Sequence, residues 1–448
     1  MREALGAARG GRTRTAAALL AAAVLSACVP RPAAMPVRIV LITLDALRFD
    51  RFEERSGEAA TMPRTRAFAE RGLRFASCWS ASSATQPTHA SLFTGLHPWQ
   101  HGVTHNGATL VDVHKTLAER LKARGFATAG VIASFPLEPR FGFAQGFDTY
   151  RHDFEQVLMP AWEGAPVADD RFYSLAEAVT RQALEALDAA TAERQFFFFH
   201  YFDAHDPYGD SDAHPIDLTR LVGLQGADPA GFEAALAQSR RLYDHDVEAL
   251  DRALGVLLDR LVSDSTRFET HVLITADHGE SFGELDALGH GRRVTREQVH
   301  VPLVIVSPRV APGIRRDSAG TVDLTATVLA LAGVTDVFLP GRDLTRTVSP
   351  TAGGAVGMTG QPAEPLDPAR AGALSERFFA VRAGALYSGD AGATFEDDDP
   401  ARRVPDATLA AALRGLFQGF EASLRGHVVR ERLDPETERG LRALGYGK

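Results

Sequence analysis

The chain of 448 residues is 45% hydrophobic and 23% charged, a balance that excludes a disordered chain, a collagen-like fibre and a polytopic membrane protein. Its 48 basic and 57 acidic residues leave a formal charge of −9, which argues against a nucleic-acid partner held by phosphate neutralisation. Cysteine occurs only at Cys28 and Cys78, so there is no disulfide framework to read. Lysine is confined to Lys115, Lys122 and Lys448, and chemistry that needs a lysine has almost no candidates.

Arg2, Arg9, Arg12 and Arg14 precede an apolar run over residues 16–25 that is too short to span a bilayer as a mature helix. Leu25-Ser26-Ala27-Cys28 closes the run and resembles a bacterial lipobox, in which the cysteine becomes the lipidated first residue. This predicts a lipoprotein signal peptide over residues 1–27. Its removal deletes four arginines and one glutamate and leaves a net charge of −12. Residues 28–36, with Pro30, Pro32 and Pro36, read as a tether. The expected location is the periplasmic or outer face of a bacterial membrane, anchored through lipid on Cys28. Cys78 then reads as a small packing residue.

Residues 37–44 form a continuous β-branched and apolar run, the pattern of a strand buried on both faces, and the run ends at Asp45. Residues 196–202 form a second run, rich in phenylalanine, that ends at Asp203-Ala204-His205. Residues 271–276 form a third, ending at Asp277-His278-Gly279. Helical patterns lie between them, over residues 113–124 with Asp112 as N-cap and Gly125 as stop, and over residues 243–262. Strands alternating with helices predict an α/β domain with a largely parallel sheet. Ligands in such sheets bind beyond the carboxyl ends of the strands, so the three acid- and histidine-bearing ends should converge there. Clustered carboxylates repel one another unless a proton or a cation lies between them. A divalent metal held by Asp45, Asp277 and His278 would remove that repulsion.

Residues 83–95 read Ser-Ala-Thr-Gln-Pro-Thr-His-Ala-Ser-Leu-Phe-Thr-Gly. Proline in a first turn and glycine after the last are helix punctuation. Thr85 then sits at or beside the N-cap, where free amides and the dipole stabilise an oxyanion. By itself this stretch reads better as a threonine that merely caps a short helix.

The ordered set of motifs resembles the sulfatase branch of the alkaline phosphatase superfamily. Its pieces are Ile42-Thr43-Leu44-Asp45, Pro87-Thr88-His89-Ala90-Ser91-Leu92-Phe93-Thr94-Gly95, His101-Gly102-Val103, Ala276-Asp277-His278-Gly279-Glu280, Gly289-His290-Gly291 and Val301-Pro302-Leu303. The resemblance covers roughly residues 37–308, with Leu433-Asp434-Pro435 and Leu444-Gly445-Tyr446 near the end. It implies an alkaline-phosphatase-like α/β sandwich, a central mostly parallel sheet flanked by helices, with a small C-terminal subdomain. It matches Asp45, Asp277 and His278 to the ligands of one divalent metal, Thr85 to the nucleophile, and His205 and His290 to substrate-contacting or proton-transferring positions. Oxygen-rich ligation with one imidazole suits Ca²⁺, Mg²⁺ or Mn²⁺, and Zn²⁺ is compatible. Asp203, His205 and His290 would form a second metal site in a two-metal phosphatase, but the spacing follows the one-metal pattern better.

The departures from the family pattern carry information too. Typical sulfatases have cysteine or serine at the position of Thr85 and convert it to formylglycine. A secondary alcohol cannot become that aldehyde, so no formylglycine is expected here. His89 replaces an arginine, Ala46 replaces the second acid of an Asp-Asp pair, and Ala133-Ser134-Phe135 replaces a lysine and a histidine. Threonine nucleophiles occur elsewhere in the superfamily, among phosphodiesterases and phosphoryl-group transferases.

The domain reading is a catalytic domain over residues 37–345, a linker or lid over 346–372, and a C-terminal α+β subdomain over 373–448. In that subdomain residues 375–386 read as two short strands and residues 408–428 as an amphipathic helix. The function expected is metal-dependent hydrolysis of a sulfuric or phosphoric ester, or a phosphonate. Its substrate would be an anionic glycan, lipid head group or small molecule. The alternatives are a catalytically degenerate lipoprotein that binds an anionic glycan or a protein, and a phosphoryl-group transferase acting on cell-envelope material. Radiolabelled fatty acid should enter the wild-type chain but not Cys28→Ser, and equal incorporation into both would refute the anchor.

Overall fold

Backbone polar groups in an apolar run must be paired on both sides if the run is buried. Val37–Leu44 (β1) does this at the centre of a sheet. The computed structural model describes residues 35–53, 61–156, 171–209, 216, 218–284, 287–291 and 294–346, together with the backbones of seven short strands elsewhere. The chain divides between Pro36 and Val37, and the second unit carries all that follows. Residues 1–34, including the signal peptide, Cys28 and most of the tether, lie outside the described residues. So does the helix read over 408–428.

Seven further strands complete the sheet. They are Leu73–Phe75 (β2), Ala127–Val131 (β3), Thr149–Arg151 (β4), Arg194–Tyr201 (β5), Glu269–Ala276 (β6), Leu303–Val306 (β7) and Gly313–Arg315 (β8). Their order is β8-β2-β7-β6-β1-β5-β3-β4. Only β7 runs against its neighbours, β2 and β6; the other pairings are parallel. The expected α/β architecture with a mostly parallel sheet is thus present. Register is what matters for function: Leu44 lies opposite both Tyr201 and Ala276, so β1, β5 and β6 end at one level.

Helices cover both faces. Thr85–Thr94 (α2) lies on one face, where His89 meets Thr43 of β1, and Asp323–Leu331 (α6) packs on it through Thr325, whose hydroxyl donates to the Leu92 carbonyl. On the opposite face Thr180 of Ala176–Ala189 (α4) bonds the Tyr201 hydroxyl. Pro229–Ser263 (α5) packs on α4, and its Asp251 accepts from the amides of Arg64 and Thr65 in Pro63–Ala69 (α1). α5 begins 14 residues before the stretch the apolar pattern marks, because Asp228 caps it and Pro229 opens it. Leu117–Lys122 (α3) is shorter than the pattern over 113–124. Thr116 is its N-cap in place of Asp112, since Thr116 and Glu119 bond each other's amides in a capping box.

A separate five-stranded antiparallel sheet is built from Gly354–Met358, Phe378–Arg382, Ala385–Ser388, Ala393–Phe395 and Arg403–Pro405. Its first strand falls inside residues 346–372, read above as linker or lid. Pairing with Phe378–Arg382 ties that piece to the strands beyond residue 373. No helix among the described residues is long and apolar enough to cross a membrane.

The amino end of β1 is fastened by a buried ion pair. Arg38, 2% exposed, places Nη1 2.5 Å from Asp264 Oδ2, donates from Nε to Gln195 Oε1, and covers the Phe268 ring at 3.9 Å. Removing one partner strands a buried charge. Asp264→Ala should therefore cost about 3 kcal/mol of unfolding free energy; an unchanged denaturation midpoint would contradict this.

Candidate active site

The common strand ends place Asp45 and Asp277 side by side, one residue beyond β1 and β6. The turn after β1 is locked from α5. Ala46 takes a left-handed conformation, φ 56°, unusual for a residue with a Cβ, while Tyr243 donates its hydroxyl hydrogen to the Ala46 carbonyl and accepts from the Arg48 amide, both at 2.9 Å. Asp277 is fixed by amides: His278 N–H donates to its Oδ1 at 2.7 Å and Ala46 N–H at 3.3 Å. The Ser80 hydroxyl donates to its carbonyl. Beyond it only glycine fits, because a Cβ on Gly279 would lie 2.0 Å from the Glu297 carbonyl oxygen.

His278 turns its ring into this pair. Nδ1 donates to the Gly279 carbonyl at 3.0 Å, which leaves Nε2 as a bare lone pair. That Nε2 lies 3.4 Å from Asp45 Oδ1, 3.5 Å from Asp277 Oδ2 and 3.3 Å from Thr85 Oγ1. Asp45 Oδ1 and Asp277 Oδ2 are buried without a hydrogen-bond partner. Two carboxylate oxygens and a ring nitrogen facing one point are a ligand set that could hold a cation.

Electrostatics point the same way. Burial pushes the Asp45 carboxyl up to about 7, against the pull of His278. Burial, then the neighbouring Asp45, raises Asp277. Burial alone would lower His278, but Asp277 and Asp45 outweigh it and raise it. Both carboxyls lean toward the protonated form and His278 toward the imidazolium, so the cluster by itself is short of positive charge.

Thr85 is the first residue of α2, after an extended Ala84. Gln86 anchors that turn. Its amide donates to Asn106 Oδ1 at 2.9 Å, its Nε2 donates to the Pro136 carbonyl at 2.6 Å, and its Oε1 accepts from the Gly107 amide. Gly95, φ 71°, closes the helix in the left-handed conformation that favours glycine. His290 packs on His278, ring centroids 4.1 Å apart, and on His205 at 4.8 Å. His205 stacks on Phe202 at 4.2 Å, and His290 Nδ1 donates to Glu280 Oε1 at 3.1 Å. Burial holds both imidazoles well below their ordinary value; His290 adds to this for His205, and His278 for His290.

The six residues singled out from sequence, Asp45, Thr85, His205, Asp277, His278 and His290, therefore form one continuous buried group. Thr88, in the same segment, is turned away: its hydroxyl donates to the Ser82 carbonyl. His89, at the position of the family arginine, donates from Nδ1 to the Thr85 carbonyl and receives the Thr43 hydroxyl at Nε2, both at 2.9 Å. Burial lowers it to about 3, so it is neutral. Sequence reasoning missed three contributors. Glu280 orients His290, and Asn106 holds the first turn of α2. His200 donates from Nε2 to Asp45 Oδ2 at 3.1 Å. A polar residue inside a phenylalanine run is the one signal that marks His200; nothing local marks Asn106.

A protein-family model described as Sulfatase matches residues 38–334. Choline-sulfatase of Rhizobium meliloti is 24% identical over 348 residues, covering 66% of this chain and 67% of that protein. Phosphonate monoester hydrolase SpPMH from Silicibacter pomeroyi shares the fold with a TM-score of 0.61 at 18% identity, over 87% of this chain and 96% of that one. BT4656, solved in complex with its substrate D-glucosamine-2-N,6-O-disulfate, does so with a TM-score of 0.65 at 16% identity, over 88% and 99%.

A carboxyl raised from 3.8 to about 7 keeps in the folded chain a proton that the unfolded chain releases. The Asp45 contribution to metal-free stability is therefore full below the unfolded value and falls as pH rises through about 7. Bound cation takes the place of that proton. Added Mn²⁺ should raise the melting temperature more at pH 8 than at pH 5, and an equal rise at both would contradict the ligand assignment.

Proposed function

Because this chain belongs to the sulfatase family of ester hydrolases, we propose that it hydrolyses a sulfate or phosphonate ester with Thr85 as nucleophile beside one divalent cation. The observation that carries this reading is the convergence of Asp45 Oδ1, Asp277 Oδ2, His278 Nε2 and Thr85 Oγ1 on one buried point. Members of the family generally bind a divalent metal, and Asp45, Asp277 and His278 would hold it here. Bound there, the cation neutralises the carboxylates and favours the deprotonated form of a nearby hydroxyl.

The chain's own groups supply the rest. Gln86, clamped by Asn106, Gly107 and Pro136, fixes the turn that presents Thr85. The Thr85 oxygen bonds to sulfur or phosphorus as the bond to the leaving oxygen breaks. His290, oriented by Glu280, or His205 beside it, delivers a proton to that oxygen. Their low basicity belongs to the substrate-free site, and an arriving anion raises it. Water then releases the acid from Thr85 and restores the hydroxyl. Neutral His89 puts no cation beside the nucleophile, so the dication carries more of the work of charge neutralisation than in a relative with arginine at that position.

Two likenesses support the ester class. One relative of the same fold is a phosphonate monoester hydrolase, and another is solved with a sulfated glucosamine as its substrate. The segment around Cys28 supports catalysis at an exported, lipid-anchored location. Thr85→Ala should lower kcat/KM on an aryl sulfate and on a phosphonate monoester by at least about 10³-fold, with fold and metal content kept. Substantial activity in that variant on any substrate the wild type cleaves would overturn the nucleophile assignment.

A further inference from the structure

His200 is the last residue but one of β5, level with Thr43 of β1, and wholly buried. Both of its ring nitrogens are engaged. Nδ1 faces the Ala133 amide at 3.2 Å, and a ring nitrogen that receives an N–H cannot carry a proton of its own. The proton is therefore on Nε2, which donates to Asp45 Oδ2 at 3.1 Å. The backbone at the end of β3 thus fixes the tautomer, and the tautomer fixes the carboxylate. Asp45 Oδ2 is occupied, while Oδ1 is left without a partner, facing His278 Nε2. Asp277 is treated alike by other means: its Oδ1 takes two amide hydrogens and its Oδ2 is left bare.

We propose that His200 is a positioning residue for the cation site, holding Asp45 by Oδ2 so that the carboxylate ligates through Oδ1 alone. The inference rests on the metal reading above and adds to it a coordination mode. A carboxylate free to rotate binds a hard cation through one oxygen or through two. Bidentate ligation by either aspartate would fill a position next to Thr85 Oγ1, which lies 3.3 Å from the shared His278 Nε2. Held by one oxygen each, the two aspartates leave that position to the nucleophile and the ester. Hydrogen bonds behind ligands of this kind typically govern 10- to 100-fold in metal affinity.

Two substitutions separate the two jobs of the ring. His200→Gln keeps a long side chain whose amide nitrogen reaches toward Asp45. His200→Asn keeps an acceptor for the Ala133 amide but is too short to reach the carboxylate. Titration calorimetry with Mn²⁺ on the otherwise intact chain should show wild type and His200→Gln binding one ion with similar affinity. His200→Asn should bind 10- to 100-fold more weakly, with its metal-free melting temperature near that of His200→Gln. Wild-type affinity in a folded His200→Asn overturns the proposal, and so does an equal loss in both variants.

The infrared difference spectrum of the wild type on Mn²⁺ binding reads the coordination mode without any variant. A widely separated pair of carboxylate stretches, the signature of one-oxygen ligation, supports the proposal, and a narrowly separated pair overturns it. A wild type that binds no Mn²⁺ overturns the metal reading as well. Binding that is insensitive to His200 overturns this inference alone.

Discussion

Asp45 and Asp277 end adjacent parallel strands in a dry interior, and their mutual repulsion is the constraint the surrounding residues answer to. Parallel register leaves no freedom in the matter: with Leu44 opposite Ala276, the next residue of each chain is an acid beside an acid. Several groups around the pair donate a hydrogen to one oxygen of each carboxylate, and the other oxygen is left without a hydrogen bond. His200, the Ala46 amide and the His278 amide are those donors. His278 Nε2, with its proton committed elsewhere on the ring, faces the open oxygens. The rest of the fold serves to hold these few directions. α5 reaches in through Tyr243 to pin the turn after β1, and Ser80 holds Asp277 from behind.

The sheet and most of the site were legible in the sequence for a simple reason. Strands buried on both faces are written as unbroken apolar runs, and the acids that interrupt them stand out. Asp45 and Asp277-His278 end such runs, whereas Thr85 is marked only by the helix punctuation around Pro87 and by the family resemblance. Contributions carried by one element to another leave no such trace. His200 was hidden among phenylalanines because its significance lies in the Ala133 amide and the Asp45 carboxylate, 67 and 155 residues away. Helix ends were misplaced where capping decides them. Apolar periodicity starts before α3 does, and the Thr116–Glu119 box overrides it, while α5 begins well upstream of its apolar face because Asp228 and Pro229 start it.

The histidines show how neighbouring charges divide one equally buried residue type into different roles. His89 and His200 are wholly buried and held neutral, acting as fixed donors and acceptors. His278, with two acids beside it, is the one among these pushed toward the charged form. His205 and His290 lie next to it in a row, so the presence or absence of charge at His278 is felt along the row. Glu280, bonded to the middle ring of the row and itself raised to about 7 by burial, gives His290 a partner that can share a proton. A cation held at the His278 end would polarise this short line of imidazoles.

Ala46 shows what this arrangement has cost the chain. A left-handed residue with a Cβ is disfavoured by about 1–2 kcal/mol, and aspartate or asparagine tolerates that conformation better than alanine does. Tyr243 at its carbonyl and Asp277 at its amide hold Ala46 in that conformation all the same. With three acids a bound dication would leave the cluster negative; with the two that remain the charges cancel. The strained backbone at Ala46 thus stands without a third carboxylate, and a cluster neutralised by a dication would meet an incoming anion without the repulsion that a third acid would impose.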